Sequence, residues 1–389
     1  MKFKVAVVTG SRADYGLLKP LIQTLKQDAD FETMLIVTGM HLSEKFGSTF
    51  KEIENDGLEI TNLIDMAINQ DSPHEIISSM GQGLSKFGYA FKRLKPDLII
   101  VLGDRFELLS IVSAAVMSRI PIAHIHGGEA TEGLIDDAIR HAVTKMSSLH
   151  FPVTDLYKNR IIQMGEQPNR VFNVGAPVLD TLDSIKLLSK KELINSLNLK
   201  NSDLIFSVTY HPITLEKGKS ALEFSEVLKV LDVYPTATIL FSQPNADMEG
   251  REIEKLIIEY ISKNKERCQL KSSLGQLRYL SLLKHADLVI GNSSSGLLEA
   301  PHFKTPTINI GDRQKGRLAP KSVIHCQGKY EELLSSIKTG LSPAFLNTLI
   351  DMDNPYGDGT SAVQTVKIIK SKLRSGNLLR KPFYEVKRS

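Results

Sequence analysis

Residues 121–151 read PIAHIHGGEATEGLIDDAIRHAVTKMSSLHF and carry a high density of titratable side chains. Four histidines and four carboxylates fall in this one stretch, with a Gly-Gly pair among them. Three kinds of structure explain such a density: a metal site, a helix with surface salt bridges, or a pocket that transfers protons at neutral pH. The alternation in IAHI predicts a strand, and the apolar spacing in IDDAIRHAVTKM predicts a helix after it.

The histidines of this stretch favour proton chemistry over metal binding. His124 and His126 stand two residues apart on the predicted strand, so they share one face, and such a pair can bind zinc. The sequence offers no set of carboxylates and histidines that completes a metal shell, so we expect no metal. One face of the strand must also pack against the core, so His124 can equally be a buried histidine.

The helix after the Gly-Gly pair begins with two acids. The spacing predicts two i,i+4 salt bridges, Asp136–Arg140 and Asp137–His141, as on an ordinary surface helix. Salt bridges do not explain why two acids come directly after HGGEATEG. The alternative is an acid/base site, because clustered carboxylates push each other's pKa values apart, as proton transfer at neutral pH requires.

Two glycine-flanked turns supply further candidates at strand ends. GDRFE (103–107) closes an apolar strand, and Asp104 is either the helix N-cap there or a partner of His126 and Asp136 in the acid/base site. Arg105 stands beside it. GSRADYG (10–16) follows the first strand, and its Arg12 is either an anion contact at a helix N-terminus or a surface arginine. The turn is not GxGxxG, which gives dinucleotide binding weak support.

GNSSSGLLEAPHF (291–303) follows an apolar strand and opens a predicted helix. Free backbone N–H groups, the hydroxyls of Ser293 and Ser294 and the positive end of the helix dipole suit a phosphate group. An ordinary N-cap is the alternative. Glu299 can hold two ribose hydroxyls or pair with the helix dipole.

INIGDRQKGR (308–317) adds three cations one strand later, Arg313, Lys315 and Arg317. Cations beside a phosphate-type loop neutralise a diphosphate, although a solvated basic loop has the same composition. The two motifs together favour a nucleotide site.

The elements that must position these groups form two series of strands, each strand followed by a helix. Strands that are apolar throughout indicate a parallel sheet covered on both faces. The predicted strands are 4–10, 33–39, 97–104, 120–128, 150–154, 170–175, 203–212, 237–245, 286–294 and 305–312. We therefore expect an α/β fold with two Rossmann-like domains, 1–175 and 176–360, and a C-terminal helix and tail, 361–389, that crosses back to the first domain. Ligands of open parallel sheets bind at the carboxyl ends of the strands, where the polar residues collect.

Composition excludes several classes of protein. The 389 residues carry a net charge of +4, too little for a nucleic-acid coat but suited to an anionic small molecule. No apolar stretch reaches the roughly 20 residues that a membrane-spanning helix needs. Cys268 and Cys326 lie far apart, and MKFKVAVVTGSRADYG lacks the features of a signal peptide, so we expect a cytoplasmic protein.

The motifs occur together in one order: VTGSRADYG, VLGDRFE, HIHGGEATEG with IDDAIRHAVTKMSSLHF, HP at 211–212, PNAD at 244–247, GNSSSGLLEAP and NIGDRQKGR. From residue 4 to about 375 the chain resembles the UDP-N-acetylglucosamine 2-epimerase family, in its hydrolysing branch. The resemblance implies a glycosyltransferase-B-like fold with the active site in the cleft between the domains, no cofactor, and a homodimer. It also implies anti-elimination of UDP to 2-acetamidoglucal and hydration to N-acetylmannosamine, which supplies sialic-acid-type sugar synthesis.

Matching positions assign roles under this resemblance. The acid/base residues are Asp104 and Asp136, and the contacts to the UDP-sugar are Arg12, Arg105, His211, Asn245, Ser293, Ser294, Glu299 and Arg313. His126 stands where many relatives carry a catalytic glutamate, so either His126 or nearby Glu129 takes that role. Leu17 replaces a lysine of the non-hydrolysing relatives, which supports the hydrolysing branch.

Three alternatives stay open at this stage. One is the same reaction on a UDP-2,4-diacetamido-2,4,6-trideoxyhexose, for legionaminic-type acid synthesis. The second is a glycosyltransferase of the same fold, against which the acid/base cluster argues. The third is a nucleotide-sugar-binding protein without catalysis.

Overall fold

The computed structural model describes residues 2–44, 47–68, 72–131, 135–212, 219–244 and 248–386. The chain divides into two compact units, unit 1 with Met1–Thr181 and Tyr356–Ser389, and unit 2 with Leu182–Pro355. The domain boundaries at 175/176 and 360/361 stay predictions. No helix within the described ranges is long and apolar enough to cross a membrane.

Unit 1 is built on a parallel sheet of six strands in the order β3-β2-β1-β4-β5-β6. The strands are β1 (Phe3–Thr9), β2 (Phe31–Thr38), β3 (Asn62–Ile64), β4 (Leu98–Leu102), β5 (Ile122–Ile125) and β6 (Leu149–Phe151). The helices are α1 (Arg12–Gln27), α2 (Phe50–Asn55), α3 (Pro73–Leu94), α4 (Glu107–Met117), α5 (Ile135–Met146), α6 (Asp155–Gln163) and α7 (Pro177–Ser184), which runs on into unit 2. Strands β4 and β5 are buried at every position because helices cover both faces of the sheet.

Unit 2 repeats the plan with a parallel sheet in the order β12-β11-β10-β7-β8-β9. Its strands are β7 (Ile205–Thr209), β8 (Thr238–Ser242), β9 (Cys268–Lys271), β10 (Leu288–Gly291), β11 (Thr307–Ile310) and β12 (Val323–Cys326). Its helices are α8 (Lys190–Leu197), α9 (Lys219–Leu231), α10 (Met248–Lys263), α11 (Gly275–His285), α12 (Ser295–Leu298), α13 (Tyr330–Gly340) and α14 (Pro343–Leu349). The predicted α/β fold with two Rossmann-like sheets is confirmed.

The last helix, α15 (Ser361–Ser375), returns to unit 1 and packs beside α1. Val366 and Ile369 join the apolar core under β1, and Asp180 accepts hydrogen bonds from the free N–H groups of Ser361 and Ala362 at 2.7 and 2.6 Å. Lys370 forms an ion pair with Asp28 at 2.8 Å. Unit 1 is therefore assembled from both ends of the chain.

The strand predictions were wrong at four places. Residues 170–175 form no strand. After a short 3₁₀ turn, only Val171 forms a β-bridge, to His150 of β6. The strands β3, β9 and β12 were not predicted. They lie at or near the edges of the sheets, where one side of a strand is open and its sequence need not be apolar throughout.

Candidate active site

The carboxyl-terminal edge of the unit 1 sheet is organised by one buried arginine. Arg140 of α5 is 2% exposed, and its guanidinium donates to two carboxylates, to one backbone carbonyl and, at 3.0 Å, to the hydroxyl of Thr131. Its Nε donates to Oδ2 of Asp104 at 3.0 Å, with a second hydrogen bond from a terminal nitrogen to the same oxygen. The other terminal nitrogen donates to Oδ1 of Asp137 at 2.9 Å and to the carbonyl oxygen of Glu129 at 3.0 Å. Two carboxylates thus compensate the buried cation, and Asp104 is held in a fixed orientation.

The two acids at the start of α5 differ in what they contact. The predicted pair of Asp136 with Arg140 is wrong, because Asp137 takes that cation one residue nearer along the helix, at i,i+3. Asp137 also accepts from the backbone N–H of Thr131 at 2.9 Å and pairs with His141 at 3.4 Å, as predicted. Asp137 is therefore a structural brace. The carboxyl group of Asp136 makes no hydrogen bond within the described ranges and stays available for chemistry.

Asp136 lies close enough to Asp104 for the two charges to interact. Burial raises the pKa of Asp136 above its usual range, and the negative charge of Asp104 raises it further, while Arg140 and Arg105 act in the opposite direction. A carboxyl group with a raised pKa beside an arginine-bound carboxylate is the arrangement that acid/base catalysis requires.

His126 and Glu129 act as one unit. Nδ1 of His126 lies 2.7 Å from Oε1 of Glu129, and Nε2 is buried without a hydrogen-bond partner in the described structure. The backbone of His126 has φ of +64°, in the left-handed region that non-glycine residues rarely adopt. The alternatives His126 and Glu129 thus form a hydrogen-bonded pair, in which Nδ1 of the imidazole is occupied and Nε2 is not.

His124 is the buried core histidine that the strand pattern allowed. It is fully buried on β5, with Nε2 2.8 Å from the carbonyl oxygen of Gly103 and Nδ1 3.1 Å from the hydroxyl of Thr144. Both ring nitrogens are therefore occupied. Among the residues that the structure describes, no group of three histidine, cysteine or acidic side chains could hold a metal ion.

Arg105 lies on the same edge and is paired with a buried glutamate. Its guanidinium donates to Oε1 of Glu107 at 2.9 Å, and Glu107 is 1% exposed at the start of α4. Asp14 of α1 lies near this pair, and burial raises its pKa to about 6, with Glu107 adding to the rise and Arg105 opposing it. Arg12 lies apart, as an exposed residue in the first turn of α1 that pairs with Glu52 at 3.0 Å.

In unit 2 the corresponding edge is built around Asn292, directly after β10. Asn292 is fully buried, accepts from the backbone N–H of His211 at 2.8 Å and donates to the carbonyl oxygen of His211 at 2.7 Å. These two hydrogen bonds join the end of β10 to the end of β7, at the point where the strand order reverses. Gly291 has φ of +138°, and a Cβ there would overlap the carbonyl of Thr209. The close approach of the two strand ends thus requires glycine.

The serines after Asn292 form a hydroxyl chain. The hydroxyl of Ser295 bonds that of Ser293 at 3.2 Å and that of Tyr279, on α11, at a shorter distance. Ser294 is the N-cap residue of α12 without a side-chain cap bond in the described structure. The predicted helix here is a single turn of four residues, so its dipole contributes little, and any phosphate would be held by hydroxyl and backbone N–H groups.

Glu299 and Arg313 flank the hydroxyl chain of Ser293, Ser295 and Tyr279. Burial raises the pKa of Glu299 to about 7. Arg313, on the loop after β11, donates to the carbonyl oxygen of Asn292 at 2.9 Å, and buried Gln314 donates to the same oxygen at 2.9 Å. The structure thus brings His211, Ser293, Ser294 and Arg313 to one edge. Asn245 lies outside the described residues.

Sequence reasoning missed the roles of three residues that organise these edges: Arg140, which was predicted only as a salt-bridge partner of Asp136, and Asn292 and Gln314. A signal for Arg140 was available, because Asp136, Arg140 and Thr144 recur every four residues and mark a polar stripe on α5. Asn292 and Gln314 had no such signal, since single amides in loops are common.

Comparisons with known proteins identify the family of the chain. The family model of UDP-N-acetylglucosamine 2-epimerase matches residues 23–370. GDP/UDP-N,N'-diacetylbacillosamine 2-epimerase (hydrolyzing) of Campylobacter jejuni is 42% identical, over 83% of this chain and 84% of that protein. Polysialic acid biosynthesis protein P7 of Escherichia coli is 37% identical over 98% of this chain and 97% of that one.

The fold is also that of solved structures. UDP-GlcNAc 2-epimerase from Neisseria meningitidis, bound to UDP-GlcNAc, superposes with a TM-score of 0.77 over 95% of this chain and 100% of that one, at 19% identity. This likeness shows the fold alone. The family match over residues 23–370 and the relative of 42% identity show that the chain belongs to the UDP-N-acetylglucosamine 2-epimerase family.

Proposed function

We propose that the protein is a hydrolysing 2-epimerase that converts UDP-N-acetylglucosamine and water to N-acetylmannosamine and UDP. The observation that carries the proposal is the arrangement of two carboxyl groups at the unit 1 edge. Asp104 is held by buried Arg140, and Asp136 beside it has a raised pKa without a hydrogen bond of its own in the described structure. In such a pair, one carboxyl group can take a proton and the other can give one.

The reaction needs these groups in two steps. In the first, a base takes the proton from C2 of the sugar while the C1–O bond breaks, which leaves UDP and 2-acetamidoglucal. In the second, water adds across the double bond: its hydroxyl goes to C1, a base takes its remaining proton, and an acid gives a proton to C2 from the face opposite to the one that lost its proton. We propose that Asp104, Asp136 and the His126–Glu129 pair supply the base and the acid of both steps.

UDP recognition belongs to unit 2 in this proposal. The diphosphate would meet Arg313 and the hydroxyls of Ser293 and Ser294, and His211 would contact the same nucleotide. Glu299 would accept hydrogen bonds from the ribose hydroxyls. Arg105 and Arg12 of unit 1 would contact the substrate as further cations, and Asn245 is carried in the proposal by the sequence alone.

A second substrate is favoured by a specific observation. The Campylobacter jejuni relative, at 42% identity, is named for a diacetylbacillosamine nucleotide. We therefore include UDP-2,4-diacetamido-2,4,6-trideoxyglucose as the second candidate, with the same chemistry at C1 and C2. The E. coli relative, named for polysialic acid biosynthesis, supports the first candidate.

Proton NMR in D₂O with each of the two sugar nucleotides tests the proposal. We expect UDP and a free 2-epimeric sugar that carries deuterium at C2. A nucleotide-linked epimer would contradict the hydrolysing reaction. A glycoside product with the C2 proton retained would indicate a glycosyltransferase, and binding of UDP without turnover of either substrate would indicate a binding protein.

The oligomeric and cellular state remain part of the proposal. We propose a homodimer in the cytoplasm that supplies sialic-acid-type sugar synthesis. Light scattering after size-exclusion chromatography measures the first, and a monomeric mass at assay concentration would contradict it.

A further inference from the structure

His124 occupies the centre of the unit 1 edge without reaching its surface. Both it and its partner Thr144 are fully buried. A backbone carbonyl can only accept, so the 2.8 Å contact with Gly103 fixes the proton of the neutral imidazole on Nε2. Nδ1 then accepts from the hydroxyl of Thr144 at 3.1 Å. The ring is fully satisfied as a neutral group, and burial lowers its pKa to about 3, so it stays neutral throughout the physiological range.

Each contact of this ring reaches a different part of the candidate site. Gly103 directly precedes Asp104, and it turns the chain with φ of +84°. Thr144 lies one helical turn after Arg140 on α5, the helix that also carries Asp136. A Cβ built on Gly127, next to His126, would lie 3.0 Å from both Nδ1 of His124 and the Thr144 hydroxyl. The turn that carries His126 thus packs on the hydrogen bond between them.

We propose that His124 and Thr144 are positioning residues, whose hydrogen bond fixes the Asp104 turn, the His126 turn and helix α5 in one mutual arrangement. The inference rests on the proposed function, because it assigns those three elements to the reaction. Neither residue touches substrate in this proposal. Their effect is geometric, and displacements of the order of 1 Å in a reacting group can cost about 100-fold in rate.

The test uses Thr144→Val, which keeps the shape of the side chain and removes its hydroxyl. We expect kcat to fall by roughly 10- to 100-fold, because the reacting carboxyl groups lose their fixed geometry. The affinity for UDP should stay within about twofold, since its proposed contacts lie in unit 2. Thr144→Ser, which restores the hydroxyl, should recover most of the rate.

The matched control is Ser147→Ala. Ser147 is equally buried, directly follows the last residue of the same helix and donates to the carbonyl oxygen of Val143 at 2.7 Å, one turn further from the site. We expect it to lower the melting temperature about as much as Thr144→Val while leaving kcat close to that of the wild type. Equal losses of kcat in the two variants would reduce Thr144 to a general stabilising residue.

A double mutant separates positioning from stability. Because Thr144 acts through the carboxyl groups, adding Thr144→Val to Asp104→Asn should cost little further rate. A full additional loss would overturn the proposal, and so would an unchanged kcat in Thr144→Val. Both results differ from failure of the proposed function, in which the wild type itself would turn over neither sugar nucleotide.

His124 gives an independent measurement. Its imidazole ¹⁵N signals should show the Nε2–H tautomer and no titration between pH 5 and 8. Thr144→Val should shift the Nδ1 signal, which loses its donor. A His124 that titrates near pH 6.5 would contradict the fixed neutral ring.

Discussion

The two sheet edges carry the same fold and different chemistry. At the unit 1 edge the side chains are mostly charged and paired, with Arg140 on Asp104 and Asp137, and Arg105 on Glu107. At the unit 2 edge they are mostly neutral, with amides and hydroxyls bonded to each other and to backbone. Charged neighbours shift pKa values and suit proton transfer, whereas neutral donors fixed to backbone suit recognition of one ligand.

The fold alone therefore does not determine the chemistry of these two edges. Both edges follow apolar parallel strands, and both lie where a doubly wound sheet binds ligands. The side chains after the strands make the difference. We therefore expect substitutions at the unit 1 edge to act mainly on turnover and those at the unit 2 edge mainly on UDP binding.

The largest expected effect is that of Asp104→Asn or Asp136→Asn. Each should lower kcat by about 100-fold or more, because general acid–base groups contribute that much, while UDP affinity persists. Steady-state kinetics and UDP titration measure the two quantities. Asp97→Asn is the control, since Asp97 lies before β4, at the opposite end of the strand, and accepts from the backbone of Lys4. Near-wild-type rates in both site variants would refute the acid/base assignment.

Substitutions in the His126–Glu129 pair separate the reacting group from the orienting group at the unit 1 edge. If the imidazole reacts and Glu129 orients it, His126→Gln should lower kcat by about 100-fold and Glu129→Gln by about tenfold. The amide of the second variant can still accept from Nδ1, so the ring keeps its orientation. The reverse order of the two losses would make Glu129 the reacting group. Both rates are measured at saturating substrate.

Arg313→Ala tests the role of the unit 2 edge in UDP binding. The loss of a charge-assisted contact to phosphate should weaken UDP binding by roughly 10- to 100-fold, with a smaller effect on kcat. Lys338→Ala, which removes an exposed cation from α13, should leave the affinity unchanged. Calorimetric titration with UDP gives both values, and equal affinities in the two variants would remove Arg313 from the site.

The smallest effect concerns pH. Burial raises the pKa of Glu299 to about 7, so its carboxylate form, the acceptor for ribose hydroxyls, is lost as the pH falls through 7. UDP affinity should therefore decrease between pH 8 and pH 6, by up to about tenfold from this group. Glu299→Gln reports the contribution of the phosphates, which titrate near pH 6 themselves. The same pH dependence in variant and wild type would contradict the role of Glu299.

The sequence carried the fold and most of the candidate residues, and its failures have physical reasons. Central strands such as β4 and β10 were predictable because helices bury both their faces and force apolar runs. The edge strand β9, with CQLK, meets no such demand. Asp104 and Asp136 were found by their motifs, but the partner of Arg140 depended on how α5 lies against the sheet, which helical spacing alone does not determine.

The return of α15 to unit 1 has a consequence for how the protein is made. Unit 2 is one continuous segment, so it is complete on the ribosome as soon as Pro355 has emerged. Unit 1 has to wait for Val366 and Ile369, which complete its core under β1, although its first strand was synthesised hundreds of residues earlier. The synthesis of unit 1 thus begins first, but unit 2 is the first to have all of its residues. The unit 1 edge, which comes first in the sequence, belongs to the unit that is completed last.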